Sequence, residues 1–132
     1  VSEQKRDDAF RRIVLENYDR SCAVLGEKFV YGKVTEAQAA HIIGKEARGT
    51  DDPRNGLALS HTAHWAFDQG IFAISDQYEV MIHPKAKDAE HRLFPLMDRA
   101  GKAIALPAEE SNYPHAEALA WHREEVFGKF AR

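Results

Sequence analysis

Residues Ala39 to Gly70 read AAHIIGKEARGTDDPRNGLALSHTAHWAFDQG, and the order of residue types in this stretch decides the fold. Glu36 to Ile43 has moderate strand character and ends in the small and branched run Ala39-Ala40-His41-Ile42-Ile43. Gly44 to Gly56 then gathers three glycines, one proline and six charged residues. Such a segment makes a polar, turn-rich loop and cannot form core. Leu57-Ala58-Leu59 emerges from it as a short strand. Ser60 stands where an N-cap belongs and Gly70 where a helix stops, so a helix is predicted over about residues 61–69, with Ala63, Ala66 and Phe67 on its apolar face. Positions four apart share a helix face, so His64 and Asp68 aim one imidazole and one carboxylate at the same place. That pairing is a half-site for a divalent cation. His61 lies one turn earlier, and His41 and Asn55 stand at the corners of the strand and loop.

Working outward, Asp7 to Tyr18 carries Phe10, Ile13, Val14 and Tyr18 at helical spacing, with Arg11, Arg12 and Glu16 on the other side. Cys22 to Gly26 and Phe29-Val30-Tyr31 read as short strands, each stopped by a glycine. On the other flank, Ile71 to Ile74 and Tyr78 to Ile82, joined by Ser75-Asp76-Gln77, predict a β-hairpin. Lys87 to Asp98 shows a helical pattern interrupted by Pro95, and Ile104 to Pro107 reads as one more strand. Pro114 opens a closing helix with Leu119, Ala120, Val126, Phe127 and Phe130 as its expected buried face. The expectation is one α+β domain over residues 1–132, with its core at about 22–75, flanking helices at about 3–19 and 114–130, and a small hairpin.

With 132 residues, 44% apolar and 30% charged, the chain fits one compact domain and hardly two. Eighteen basic residues face twenty-one acidic ones for a net charge of −3, and the signs are interspersed. A protein that grips nucleic acid mainly by bulk charge would look different. One cysteine, Cys22, excludes an internal disulfide framework and a zinc ribbon. No apolar run approaches the roughly 18–20 residues of a membrane span, and the polar start is unlike a signal peptide. These features predict a soluble, cytoplasmic protein without membrane association. The start at Val1 rather than Met predicts a processed terminus or a domain of something longer.

Taken together, Ala39-Ala40-His41-Ile42, Gly49 to Leu59 with Asn55-Gly56-Leu57, and His64-Trp65-Ala66-Phe67-Asp68-Gln69-Gly70 resemble the His-Asn-His signature of HNH endonucleases. They are most similar to the HNH modules of bacterial restriction enzymes. Phe10 to Tyr18 with Cys22 to Gly26 resembles the usual lead-in, and Ala120 to Phe127 the usual closing helix, so the likeness covers nearly the whole chain. It implies a ββα-metal fold: two short antiparallel strands joined by a loop, then a helix, with one divalent cation (Mg, Mn, Ni or Zn) between them. It also implies that His41 is the general base, that Asn55 braces the loop and orients that base, and that His64 binds the cation with Asp68. Many members carry Asp or His just before the base as a first ligand, and here that position is Ala40. A branch with Ala-His-Ile would hold its cation differently, through His41 itself or His61, or with low affinity.

The roles agree with physical chemistry. An imidazole, with an ordinary pKa of about 6.5, is largely free to accept a proton at neutral pH, and a divalent cation stabilises the charge that builds during phosphodiester cleavage. The resemblance therefore implies metal-dependent hydrolysis of DNA, as the cleavage module of a restriction or defence system. Sequence specificity and much of the affinity would come from a DNA-recognition domain, a dimer partner or a larger parent chain. Two other readings stand beside it: a noncatalytic nucleic-acid-binding or scaffold module with a degenerate site, and a purely structural domain.

Plainer readings apply to the remaining candidates. Lys45, Arg48 and Arg54 are placed to contact phosphates, yet Glu46, Asp51 and Asp52 cancel them within the same loop, so a solvated loop is the default. Asn55-Gly56 is also an ordinary turn signal. Asp68 near a helix end opposes the helix dipole and needs compensation. Trp65, Phe67, Phe72, Trp121 and Phe127 read as core, Cys22 as a small buried hydrophobe. His83, His91, His115 and His122 have no evident partners in the sequence.

Overall fold

The structure is a computed structural model that describes residues 2–131. It is a mixed α+β arrangement of short antiparallel hairpins and helices. Helix α1 spans Glu3–Asn17, with Ser2 as N-cap accepting from the Lys5 N–H at 3.2 Å. Phe10, Val14 and Leu15 form its buried stripe. The segment from Cys22 to Gly26 is a turn, not the expected strand. Gly26 N–H bonds back to Cys22 O, and the Ala23 N–H goes to Ala58 O, so the backbone groups are satisfied by a turn bond and a single distant carbonyl rather than along a ladder. Cys22 itself is buried.

A small hairpin follows, β1 (Val30–Tyr31) with β2 (Val34–Thr35). The ribbon that positions the site is β3 (Gln38–His41) paired antiparallel with β4 (Gly56–Leu59), in a register that sets Gln38 against Leu59 and His41 against Gly56. Every residue of β4 is buried. Helix α1 lies across this ribbon, and the approach is close. A Cβ on Gly56 would stand 2.5 Å from Val14 Cγ2 and 2.8 Å from Phe10 Cζ. The loop between β3 and β4 contains two 3-10 turns, Lys45–Ala47 and Pro53–Asn55.

Helix α2 runs His61–Gln69, as its end signals predict. Ser60 Oγ accepts from the Ala63 N–H at 3.2 Å, and Gly70 closes the helix with φ +81°, donating to Ala66 O and Phe67 O. Strands β5 (Phe72–Ile74) and β6 (Val80–Ile82) form the expected hairpin. Beyond them the chain is less regular than its apolar pattern predicts. Helix α3 is confined to Pro84–Lys87, and a 3-10 turn occupies Pro95–Arg99. Lys87, Asp88, Glu90, His91 and Arg92 leave no apolar stripe to bury, and Pro95 lacks the N–H a continuing helix needs. Residues 104–107 also form no strand. Ile104 N–H reaches Tyr78 O while Ala105 N–H reaches Ala23 O, so successive residues serve different neighbours.

Helix α4 spans Ala116–Glu125, and its buried face is Ala118, Leu119 and His122 rather than the later aromatics. Val126, Phe127 and Phe130 are half-buried, in and beside a last 3-10 turn at Phe127–Lys129. Of the aromatics expected in the core, Phe67 and Phe72 are fully buried but Trp65 is 54% exposed. Trp65 follows His64 on α2 and points away from the stripe of Ala63, Ala66 and Phe67. No helix among the described residues is long and apolar enough to cross a membrane.

Candidate active site

His41 ends β3, where strand alternation buries Ala40 in the core and turns Ala39 and His41 toward a cavity of about 360 Å³. That cavity is also lined by Lys45, Glu46, His64, Asp68 and His122. The His41 ring stacks on Phe10 with centroids 4.0 Å apart and planes 6° from parallel. Its Nε2 lies 2.9 Å from Asp51 Oδ1. Lys45 Nζ donates to Asp7 at 2.8 Å and to the second oxygen of Asp51 at 3.4 Å. The hydrogen bond from His41, followed by that from Lys45, holds the Asp51 carboxyl below the usual carboxylate range. An ionised carboxylate only accepts, so Nε2 carries the proton and Nδ1 is the nitrogen left to take one.

Asn55 is 3% exposed and consumes its amide on the loop backbone. Oδ1 accepts from Ile43 N–H at 2.9 Å, while Nδ2 donates to Ile43 O at 3.1 Å and to Thr50 O at 3.0 Å. Its own carbonyl accepts from Ile42 N–H at 2.9 Å. These bonds staple the two ends of a polar loop against the ribbon. No side-chain hydrogen bond joins Asn55 to His41 among the described residues; the groups on the His41 ring are Asp51 and Phe10. Composition hid Asp51, because in a loop with three acids and three bases its charge reads as cancelled.

Across the cavity His64 Nε2 stands 3.3 Å from Asp68 Oδ2, as their spacing predicts, and His64 Nδ1 lies 2.8 Å from Gln38 Oε1. Loss of hydration raises the Asp68 pKa, the Glu46 charge raises it further, and His64 opposes both. A partly dehydrated carboxylate beside a second one, next to an imidazole nitrogen, is a donor set that suits a divalent cation. Among the described residues no group of three or more His, Cys, Asp or Glu side chains forms a complete cage. His64 and Asp68 are the residues of this cavity that could contribute ligands to a cation. Ala40 is fully buried and does not line the cavity. His61 is not brought to the pair: its Nδ1 lies 2.9 Å from Glu36 Oε2 and its Nε2 3.1 Å from Gln38 Nε2.

The three basic candidates separate. Lys45 is engaged by Asp7, Asp51 and Glu3, and the Asp7 hydrogen bond leads in raising its pKa. Arg54 Nε donates to Tyr113 O at 2.7 Å, tying the loop to the segment before α4, where His115 also meets Asp52 at 3.2 Å. Arg48 is exposed, with φ +68°. One wall of the cavity comes from a residue that the sequence left without a partner. His122 stacks face to face on Phe67 with centroids 3.6 Å apart, and its Nε2 donates to Phe67 O at 2.8 Å. Burial pushes its pKa down to about 4, so this ring is neutral. The spacing of Ala118, Leu119 and His122 on one helical stripe was the available signal.

Comparison with known proteins points to a class: residues 22–75 match the HNH endonuclease family model. A solved structure similar to this chain is a modification-dependent TagI restriction endonuclease, at a TM-score of 0.64 and 20% identity, covering 89% of this chain and 37% of that one. At that identity the likeness is one of fold, and the chain spans little more than a third of the restriction endonuclease's length. No curated protein matches the chain.

Proposed function

We propose that this chain is a metal-dependent HNH nuclease module that hydrolyses DNA phosphodiester bonds, as the cleavage part of a restriction or defence system. The observation that supports it most is a single cavity with His41, oriented by Asp51, on one wall and the His64–Asp68 pair on another. In this reading the core is a ββα-metal unit made of β3, β4 and α2. His41 Nδ1 accepts a proton from the water whose oxygen attacks phosphorus, and Asp51 keeps the opposite nitrogen protonated and stabilises the imidazolium that results. Phe10 fixes the ring plane, and Asn55 keeps the loop that carries Asp51 closed on the ribbon. His64 and Asp68 hold a divalent cation, Mg²⁺, Mn²⁺, Ni²⁺ or Zn²⁺, which when bound supplies electrostatic stabilisation of the charge growing on the phosphate and leaving oxygens. Arg48 is the phosphate contact in the loop that remains exposed, and a recognition domain or a second copy supplies most of the DNA affinity.

Plasmid cleavage by wild type and His41→Ala, each with Mg²⁺, Mn²⁺, Ni²⁺, Zn²⁺ or EDTA, tests this. Methylated plasmid belongs in the panel, since the structurally similar enzyme is modification-dependent. The expected result is cleavage by wild type alone, abolished by EDTA, with His41→Ala slower by about 10²- to 10⁴-fold. A second reading, a noncatalytic DNA-binding module, draws on the buried Ala40 at the position of a missing ligand. DNA binding without cleavage under every cation would select it.

A further inference from the structure

Gln38 occupies a place that the His41 and His64 roles do not account for. The β3–β4 register sets it opposite Leu59, two residues before α2 begins. His61 and His64 lie one turn apart on α2 and present ring nitrogens to the two ends of the same amide. Glu36, in the turn before β3, reaches the start of that helix. Its Oε2 accepts both the His61 backbone N–H and the ring Nδ1–H, each at 2.9 Å. A carboxylate there satisfies one of the helix's orphan donors and complements its dipole.

The proton positions follow link by link. Glu36 can only accept, so His61 carries its proton on Nδ1, and the neutral ring has a bare Nε2. That bare nitrogen, 3.1 Å from Gln38, takes the amide N–H, which fixes the orientation of the amide. The amide oxygen is then aimed at His64 Nδ1 at 2.8 Å and requires a proton on it. His64 is left with a lone pair on Nε2, facing Asp68 Oδ2 at 3.3 Å. Two acceptors face one another, and a positive species is what reconciles them.

We propose that Glu36, His61 and Gln38 form a hydrogen-bonded relay that fixes His64 in the Nδ1–H tautomer and presents its Nε2 to the cation, with Gln38 and Glu36 as positioning residues. The inference rests on the reading of His64 and Asp68 as the cation half-site, and it gives His61 a supporting place instead of a ligand's. Outer partners of this kind typically change metal affinity about 10- to 100-fold when removed.

Long-range 1H–15N spectra of the imidazole nitrogens, recorded on the metal-free chain at pH 8, read the tautomers directly. Calorimetric titration with Mn²⁺ reads the affinity separately. Wild type is expected to show protonated Nδ1 and bare Nε2 at both His61 and His64. Glu36→Ala, at a partly exposed side chain that touches His61 but not His64, is expected to give His64 mixed tautomers and to weaken Mn²⁺ binding about 10- to 100-fold. Gln38→Leu is expected to do the same, and Gln38→Glu, which keeps an acceptor for His64 Nδ1, to restore both readouts. A wild-type His64 protonated on Nε2 overturns the relay. So do folded Glu36→Ala and Gln38→Leu chains whose His64 tautomer and Mn²⁺ affinity equal those of wild type. The stated wild-type tautomers, lost in Glu36→Ala, with no Mn²⁺ bound by any chain, support the relay and instead overturn the cation site.

Discussion

Asp51 Oδ1, 2.9 Å from His41 Nε2, is the hydrogen bond that selects which ring nitrogen is free to act as a base. Asp51→Asn removes the obligate acceptor, and the expected outcome is a single-turnover cleavage rate lower by about 10²-fold with DNA affinity little changed. Asn55 acts on the backbone instead. Asn55→Ala removes the buried side chain that serves the half-buried Ile43 amide and carbonyl and the Thr50 carbonyl, and a loss of about 2–4 kcal/mol in urea unfolding is expected. His122 sets a pH dependence. Its folded pKa of about 4 lies below the ordinary 6.5, so between those values the unfolded chain binds a proton that the folded chain refuses. Stability therefore falls as pH drops from about 6.5 to 4 and levels off below, by on the order of 3 kcal/mol. Urea midpoints measured across that window should fall in wild type and lose this part of the slope in His122→Gln.

The elements set these residues at their distances through a few close approaches. Gly56 lets α1 settle on the ribbon so that Phe10 reaches the His41 ring. Gly56→Ala places a methyl against Val14 and Phe10, and overpacking of that kind costs about 1–3 kcal/mol. The expected signature is a drop in stability accompanied by slower cleavage, because Phe10 must shift off His41. Gly70 combines φ +81° with an approach in which a Cβ would lie 2.5 Å from Val126 O. The helix stop is thus also the contact that seats the chain just after α4. Helix α2 needs nothing unusual: Ser60, the Ala63-Ala66-Phe67 stripe and Gly70 define it locally, and its ends put His64 and Asp68 one turn apart.

Across the molecule, charge is the property that limits what the chain does alone. The net charge is −3, and in the loop beside the cavity Lys45 is engaged by carboxylates and Arg54 by a backbone carbonyl, which leaves few of that loop's cations for DNA phosphates. Binding of duplex DNA by this chain is expected to be weak, with a salt slope that reports no more than about three released counterions per complex. Anisotropy titrations at several salt concentrations measure that slope, and Arg48→Ala is expected to reduce it by about one.

Local signals were enough for α1, the β3–loop–β4–α2 order, the β5–β6 hairpin and the i,i+4 pairing of His64 with Asp68, because periodicity, caps and turn residues act over a few neighbours. They failed over residues 87–107, where apolar residues serve several partners in turn and no ladder or stripe forms. The His-Asn-His order was likewise visible in the chain. Asp51 on His41, the amide of Gln38 between two histidines, and His122 stacked on Phe67 were not, since each pairs residues 10 to 55 positions apart. Such contacts depend on strand register and on how α1 and α4 close over the ribbon, so their geometry exists only once the whole chain has packed.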